Sequence, residues 1–245
     1  MVVNRKKGGE LYHADQTITP MRDDDGNVTH FVSVLRDMTE QRRRQAQQIE
    51  IQLASRIQQR LFPAEAPRIP GGDFCGAVFP AAETCGDYYD FIPMPAGRFG
   101  FVVGDVCGHG LGPALFADSA RAVLRTLLQT HRDLSRAVQG LNAFLCQDME
   151  SHQFMTLFLG LVDPAERSLS WINAGHPSTV LWRRAAPLRL LERTGVPVGM
   201  FPDASHRLDG PVPLEAGDVV VLYTDGICEA RSPAGEVYGE ERPNW

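Results

Sequence analysis

The chain has 245 residues, 43% of them hydrophobic and 22% charged, which is typical of a globular protein with one large domain or one domain and a fragment. Its net charge of −6 argues against nucleic acid as the main partner, and no apolar run reaches the roughly 18 residues of a membrane span. The N-terminus lacks the apolar stretch of a signal peptide. Together with five cysteines in no paired spacing, these features predict a cytoplasmic protein with reduced thiols.

The first 40 residues contain two strand-like runs separated by the turn sequence DDDGN at 23–27. Two or three strands are too few to form a stable domain alone. Residues 1–40 are therefore predicted to be the end of a larger domain.

A polar helix is predicted over residues 41–63, with Thr39 as its N-cap and Pro63 where it stops. One narrow apolar stripe follows it, formed by Ala46, Ile49, Leu53, Ile57 and Leu61. Such a stripe is typical of a coiled-coil seam or a connector helix. It is equally compatible with a helix that packs only on its own domain.

The remaining residues, 64–245, alternate between helical and strand-like patterns. Helices are predicted over 112–130 and 134–149, and strands over 73–80, 87–94, 98–106, 154–163, 168–174, 178–184 and 218–225. Two adjacent helices within a strand-rich chain predict an α+β fold with helices packed on antiparallel sheets.

Three of these strands carry an aspartate next to a glycine at one end. Asp87 begins a strand, Asp105 ends one, and Asp225 closes a strongly apolar one. A single aspartate there is ordinarily a turn residue. Three of them could converge, and carboxylates are preferred ligands of hard divalent cations. The pattern therefore favours a magnesium or manganese site over three unrelated turns.

A cysteine lies inside the second of these motifs, GDVCGHG at 104–110. Cys107 with His109 could form a nucleophile pair, but no third group that would orient the histidine is evident. The pattern therefore argues against a nucleophilic Cys107.

Seven motifs occur in one order along residues 54 to about 240: ASRIQQRLFP, CGDYYDF, GDVCGHG, FMTLFLGLVD, NAGHP, GVPVGM and LYTDGICEA. As a set they resemble the SpoIIE/RsbU-type serine phosphatases, bacterial members of the metal-dependent type 2C (PPM) phosphatases. Residues 1–40 resemble the C-terminal strands of a PAS sensor domain. The resemblance implies a four-layer α-β-β-α sandwich over 64–245, preceded by a PAS-like β fragment and a connector helix.

The resemblance also implies two manganese or magnesium ions that activate a water for attack on a serine or threonine phosphate. The metal ligands would be Asp87, Asp105, Asp225 and the backbone carbonyl of Val106, with Asp105 bridging both ions. His109 would either donate a proton to the leaving serine oxygen or order the glycine loop. Cys107 stands where the family often has serine, which implies a small packing residue.

Two other residues near these motifs have open roles. Asp90 could be a partner of a ligand or a surface carboxylate. His176, in NAGHP, could pack near the cleft or satisfy its own loop.

The predicted function is a phosphoserine/phosphothreonine protein phosphatase in bacterial signal transduction. Its substrate would be a phosphorylated anti-sigma-factor antagonist or a similar small phosphoprotein, and the helix over 41–63 could pair two copies. The family pattern continues with a helix and a final acidic strand that this chain lacks, so the phosphatase domain is expected to be C-terminally truncated. An inactive fragment, or a module that binds phosphoproteins without turnover, is therefore the alternative.

Overall fold

The computed structural model describes residues 2–69, 71–131, 133–150 and 152–239. Contacts between residues divide the chain into two compact units, Met1–Leu53 and Ala54–Trp245. No helix in these described ranges is long and apolar enough to cross a membrane.

The first unit is built on an antiparallel sheet of β1 (Val2–Arg5), β2 (Leu11–Arg22) and β3 (Val28–Asp37), in that order. The predicted hairpin is confirmed, since β2 and β3 pair across the DDDGN turn. Within that turn a carboxylate oxygen of Asp23 accepts a hydrogen bond from the Asn27 amide at 2.8 Å.

The polar helix is observed as α1 (Thr39–Gln59). The prediction that Thr39 is its N-cap is wrong, because Thr39 is already helical and its hydroxyl accepts a hydrogen bond from the His13 amide at 3.0 Å. Asp37 accepts from the Thr39 amide instead, at 2.9 Å, and this bond lowers the Asp37 pKa.

The apolar stripe of α1 lies open to solvent. Ile49, Leu53 and Ile57 are 59%, 58% and 54% exposed. A helix that packed this stripe on its own domain would bury these side chains, so the exposure favours the coiled-coil or connector interpretation.

The second unit contains eight strands and three complete α-helices in its described residues. In chain order they are β4 (Asp87–Pro93), β5 (Phe99–Val106), α2 (Leu111–Thr130), α3 (Leu134–Asp148), β6 (Met155–Asp163), β7 (Ser168–Ala174), β8 (Thr179–Trp182), β9 (Arg189–Leu191), β10 (Asp209–Pro213), β11 (Val219–Val221) and α4 (Asp225–Cys228). The strands form an antiparallel five-stranded sheet, β10-β7-β6-β5-β4, and an antiparallel three-stranded sheet, β11-β8-β9.

Two apolar cores hold three layers together. Helices α2 and α3 pack on one face of the larger sheet through a core that includes Leu124, Leu128, Leu141, Leu145, Val102 and Leu159. The smaller sheet packs on the other face through a core that includes Phe101, Phe158, Trp171, Leu181 and Leu191. The predicted α+β sandwich is confirmed, and after β8 the described residues contribute only the one-turn α4 toward a further helical layer.

Residues 73–80, predicted as a strand, form none. The Tyr89 hydroxyl donates to the Gly76 carbonyl at 3.1 Å, and a Cβ built on Gly76 would lie 2.4 Å from the Tyr89 ring. Phe74 packs against Phe99 with ring centroids 5.1 Å apart. The segment therefore contacts β4 and β5 through side chains instead of a backbone ladder.

Alternation along β4 places Asp90 on the helix side of the sheet, where it is 1% exposed. Arg125 of α2 binds both of its carboxylate oxygens, with Nε at 2.5 Å and Nη2 at 3.0 Å. Arg121 approaches to 3.8 Å and the Tyr88 hydroxyl to 3.3 Å. Asp90 is thus a buried ion-pair partner, not a surface carboxylate, and it ties β4 to α2.

We expect Asp90→Asn to lower the free energy of unfolding by about 3 kcal/mol, because it leaves a partly buried guanidinium without its counter-charge. Urea unfolding would measure the loss. The same substitution at the exposed Asp203 is the control and should change stability by less than about 0.5 kcal/mol. Equal, small effects at both positions would contradict the assigned ion pair.

Candidate metal centre

Two of the predicted ligands lie directly opposite each other. Asp87, the first residue of β4, is the cross-strand partner of Asp105, the penultimate residue of β5. Directly opposed residues share a face with Cβ atoms about 5 Å apart. Like charges in such a pair destabilise a sheet unless something compensates them.

The third carboxylate comes from the far end of the chain. Asp225 is the first residue of α4 and is exposed, whereas the predicted strand 218–225 ends early, because β11 covers only Val219–Val221. The Thr224 side chain forms a hydrogen bond with Asp87, and the Asp225 charge raises the pKa values of both Asp87 and Asp105. Asp225 therefore lies within electrostatic range of the opposed pair.

The charged groups around Asp105 are acidic. Burial, followed by the charges of Asp87, Asp225 and Glu229, raises the pKa of Asp105 to about 7. Burial also raises the pKa of Asp87. Among the described residues, every charged neighbour that shifts the Asp105 pKa is acidic, so none of their arginines or lysines supplies the compensating charge there.

The predicted backbone ligand, the Val106 carbonyl, lies beside Asp105. A Cβ built on Gly86 would lie 2.5 Å from the carbonyl oxygen of Val106 and 3.2 Å from a carboxylate oxygen of Asp105. The absence of a side chain at Gly86 keeps the space beside both oxygens clear.

Three carboxylates and one carbonyl suit a hard cation such as magnesium or manganese. As the described residues stand, no three His, Cys, Asp or Glu side chains are close enough to hold a metal ion. The donor chemistry fits a metal, while the three carboxylates lie farther apart than the ligands of a bound ion.

The other two motif residues of GDVCGHG lie apart from this donor set. His109 is exposed in the loop before α2. The Cys107 sulfur accepts a hydrogen bond from the Phe154 amide at 3.3 Å and lies 3.7 Å from the His152 carbonyl. These contacts with the segment before β6 fit the packing role of Cys107.

His176 is more closely connected to the cluster than its motif revealed. It is fully buried, and its Nδ1 lies 2.9 Å from the hydroxyl of Thr156, the cross-strand partner of Asp105. Burial lowers the His176 pKa to about 4, while the Tyr223 backbone opposes this shift. The histidine of NAGHP was the signal in the sequence, but only the fold places it between β6 and the segment before Asp225.

Comparison with known proteins supplies a family for this architecture. Residues 95–243 match the family model described as Stage II sporulation protein E (SpoIIE). The chain belongs to the SpoIIE family. Protein IcfG of Synechocystis sp. is 30% identical over 221 residues, which is 79% of this chain and 35% of that protein. Phosphoserine phosphatase RsbU of Bacillus subtilis is 27% identical over 196 residues, which is 80% of this chain and 57% of that protein.

Solved structures agree with this membership of the SpoIIE family. The RsbU and RsbW domains of Rv1364c from Mycobacterium tuberculosis match with a TM-score of 0.53 and 30% identity, over 63% of this chain and 42% of that one. The SiaA-PP2C domain of Pseudomonas aeruginosa matches with a TM-score of 0.65 and 22% identity, over 81% and 80%. The second likeness establishes a shared fold. The chain spans less than two thirds of the length of IcfG and RsbU.

The buried His176 predicts a pH-dependent stability. Its folded pKa of about 4 lies below the ordinary value of 6.5, so the unfolded chain binds the proton first as pH falls. The contribution of the neutral His176 to the free energy of unfolding is therefore complete above pH 6.5. It is lost as the pH falls from 6.5 to 4.

Relative to a His176→Leu variant, we expect the free energy of unfolding of the wild type to fall by about 3 kcal/mol from pH 7 to pH 4. Urea unfolding of both proteins at the two pH values measures this difference. Parallel curves would show that His176 is not held neutral by burial.

Proposed function

We propose that this chain is part of a metal-dependent phosphatase that hydrolyses phosphoserine or phosphothreonine on a protein in bacterial signal transduction. The observation that carries the proposal is the direct opposition of Asp87 and Asp105, with the charge of Asp225 acting on both. Membership of the SpoIIE family supports it, as does the name of its relative RsbU, a phosphoserine phosphatase.

In this proposal Asp87, Asp105, Asp225 and the carbonyl of Val106 would hold two magnesium or manganese ions. When bound, such ions supply an activated water and neutralise charge that develops on the phosphate. The Thr224 side chain orients the Asp87 carboxylate. The exposed Asp225 leaves one side of the centre open to a phosphate carried by another protein.

The exposed His109, four residues after Asp105, is the proposed donor of a proton to the leaving serine oxygen. Its exposed position between Gly108 and Gly110 would let it reach a bound substrate. If His109 only orders this loop, replacing the histidine would leave turnover unchanged.

The proposed substrate is a phosphorylated anti-sigma-factor antagonist or a similar small phosphoprotein. The open rim at Asp225 suits a protein-borne phosphate better than an enclosed pocket would.

All five cysteines are free thiols, which fits the cytoplasm. We also assign residues 1–40 to the end of a PAS-type sensor, and their antiparallel three-stranded sheet supports this.

We expect Asp105→Asn to lower manganese-dependent phosphate release from a phosphoserine protein by about a hundredfold or more, because it removes the central ligand. The metal-free variant should be at least as stable as the wild type, since one of two opposed charges is gone. Phosphate release and thermal unfolding measure the two effects.

Cys107→Ser is the control and should retain turnover, because that sulfur only packs against the segment before β6. Full turnover by Asp105→Asn would contradict the assigned ligand. A wild-type chain that binds a phosphoprotein but releases no phosphate would favour the non-catalytic module.

We further propose that the exposed stripe of α1 pairs with the same stripe of a second copy. Leu53→Glu would place a charge in that seam, so light scattering should find the mass of one chain instead of two. Gln52→Glu adds the same charge beside the stripe and should leave the mass of two chains unchanged. A wild type with the mass of one chain would exclude this pairing.

A further inference from the structure

Helix α1 buries a polar residue and exposes its apolar ones. Of its residues, all of which the structure describes, Gln58 is the one that is buried, at 5% exposure, while the neighbouring Ile57 is 54% exposed. Burying an amide costs free energy unless its donor and acceptor are both satisfied. The buried amide therefore needs a specific partner.

That partner is the backbone of a single residue, Cys85. Gln58 Nε2 donates to the Cys85 carbonyl at 2.9 Å, and the Cys85 amide donates to Gln58 Oε1 at 3.3 Å. Two hydrogen bonds from one side chain to the N–H and the C=O of one residue fix both the position and the orientation of that residue's backbone. No side chain of the loop takes part, so the contact acts on the backbone itself.

Cys85 lies immediately before the proposed metal ligands. The next residue, Gly86, accepts a hydrogen bond from the Val106 amide at 3.2 Å. The residue after that is Asp87, which opposes Asp105. A displacement of the Cys85 backbone would therefore move the Asp87 carboxylate and the Gly86–Val106 contact together. The first is a proposed ligand on β4, and the second holds the end of β5, which carries Asp105 and Val106.

We infer that Gln58 is a positioning residue, which sets the geometry of the metal centre by holding the Cys85 peptide in register. This inference rests on the proposed metal-dependent function. It assigns Gln58 no contact with metal or substrate. Groups that orient a metal ligand commonly change metal affinity tenfold or more when removed.

The test compares Gln58→Met with Gln59→Met in the full chain. Methionine keeps the length and helix propensity of glutamine but loses both hydrogen bonds. Gln59 is the next residue of the same helix and is exposed, so it is a matched control. Mn2+ binding is measured from the signal of free Mn2+, and amide exchange over residues 85–87 is measured in metal-free protein.

We expect Gln58→Met to weaken Mn2+ binding about tenfold and to speed exchange of the Cys85 amide, with turnover recovering at saturating Mn2+. Gln59→Met should match the wild type in each measurement. If Gln58→Met fails to fold, Gln58→Glu, which keeps the acceptor and loses the donor, should show the same weakened binding.

Unchanged Mn2+ affinity or unchanged exchange in a folded Gln58→Met would overturn the inference, even with a lower melting temperature, because that pattern is purely structural. Failure of the proposed function gives a different result. A wild-type chain that binds no Mn2+ removes the metal centre itself, and the positioning role with it.

Discussion

The register between β4 and β5 is the constraint on which the site depends. It opposes Asp87 to Asp105 on the face toward the smaller sheet. A slip of either strand by one residue would turn that strand's carboxylate toward the helices and away from the other, because strand side chains alternate with a period of two. The apolar residues of the same strands prevent such a slip, since Tyr88 and Ile92 belong to the helix-side core and Phe99 to the core between the sheets. Packing far from the chemistry thereby determines where the charges meet.

This arrangement works against stability at the site itself. Burial and the charges of Asp87 and Asp225 raise the pKa of Asp105, and no basic group among the described residues offsets this shift. The neighbouring Asp90 shows the contrary solution, because on the helix side of the same strand it is buried but paired with Arg125. One strand thus carries a carboxylate used for structure on one face and a carboxylate left uncompensated on the other. Uncompensated charge of this kind is typical of sites that bind a charged ligand.

Polar contacts from distant segments hold the cluster together. Gln58 binds the peptide before Gly86, the Thr224 side chain binds Asp87, and His176 contacts Thr156 next to Asp105. Each joins a segment that carries a donor to a different part of the chain. A donor set drawn from separate strand ends needs such links, because the strands alone leave their ends free to shift relative to one another.

The sequence by itself determined the helices and most strands, since their apolar periods of 3.6 and 2 are local properties; α2 and α3 lie within a residue of their predicted bounds. It also identified the strand-end aspartates as unusual. It could not determine the outcome for residues 73–80, which have a strand-like composition but contact β4 through side chains. Nor could it predict that Arg125 pairs with Asp90, that Gln58 is buried against Cys85, or that Asp225 lies near Asp87. Those pairings join residues 35, 27 and 138 positions apart, and no local pattern records them. Only the packing of two sheets and two helices decides which polar groups meet, because each polar group must find its partner where the apolar surfaces have placed it.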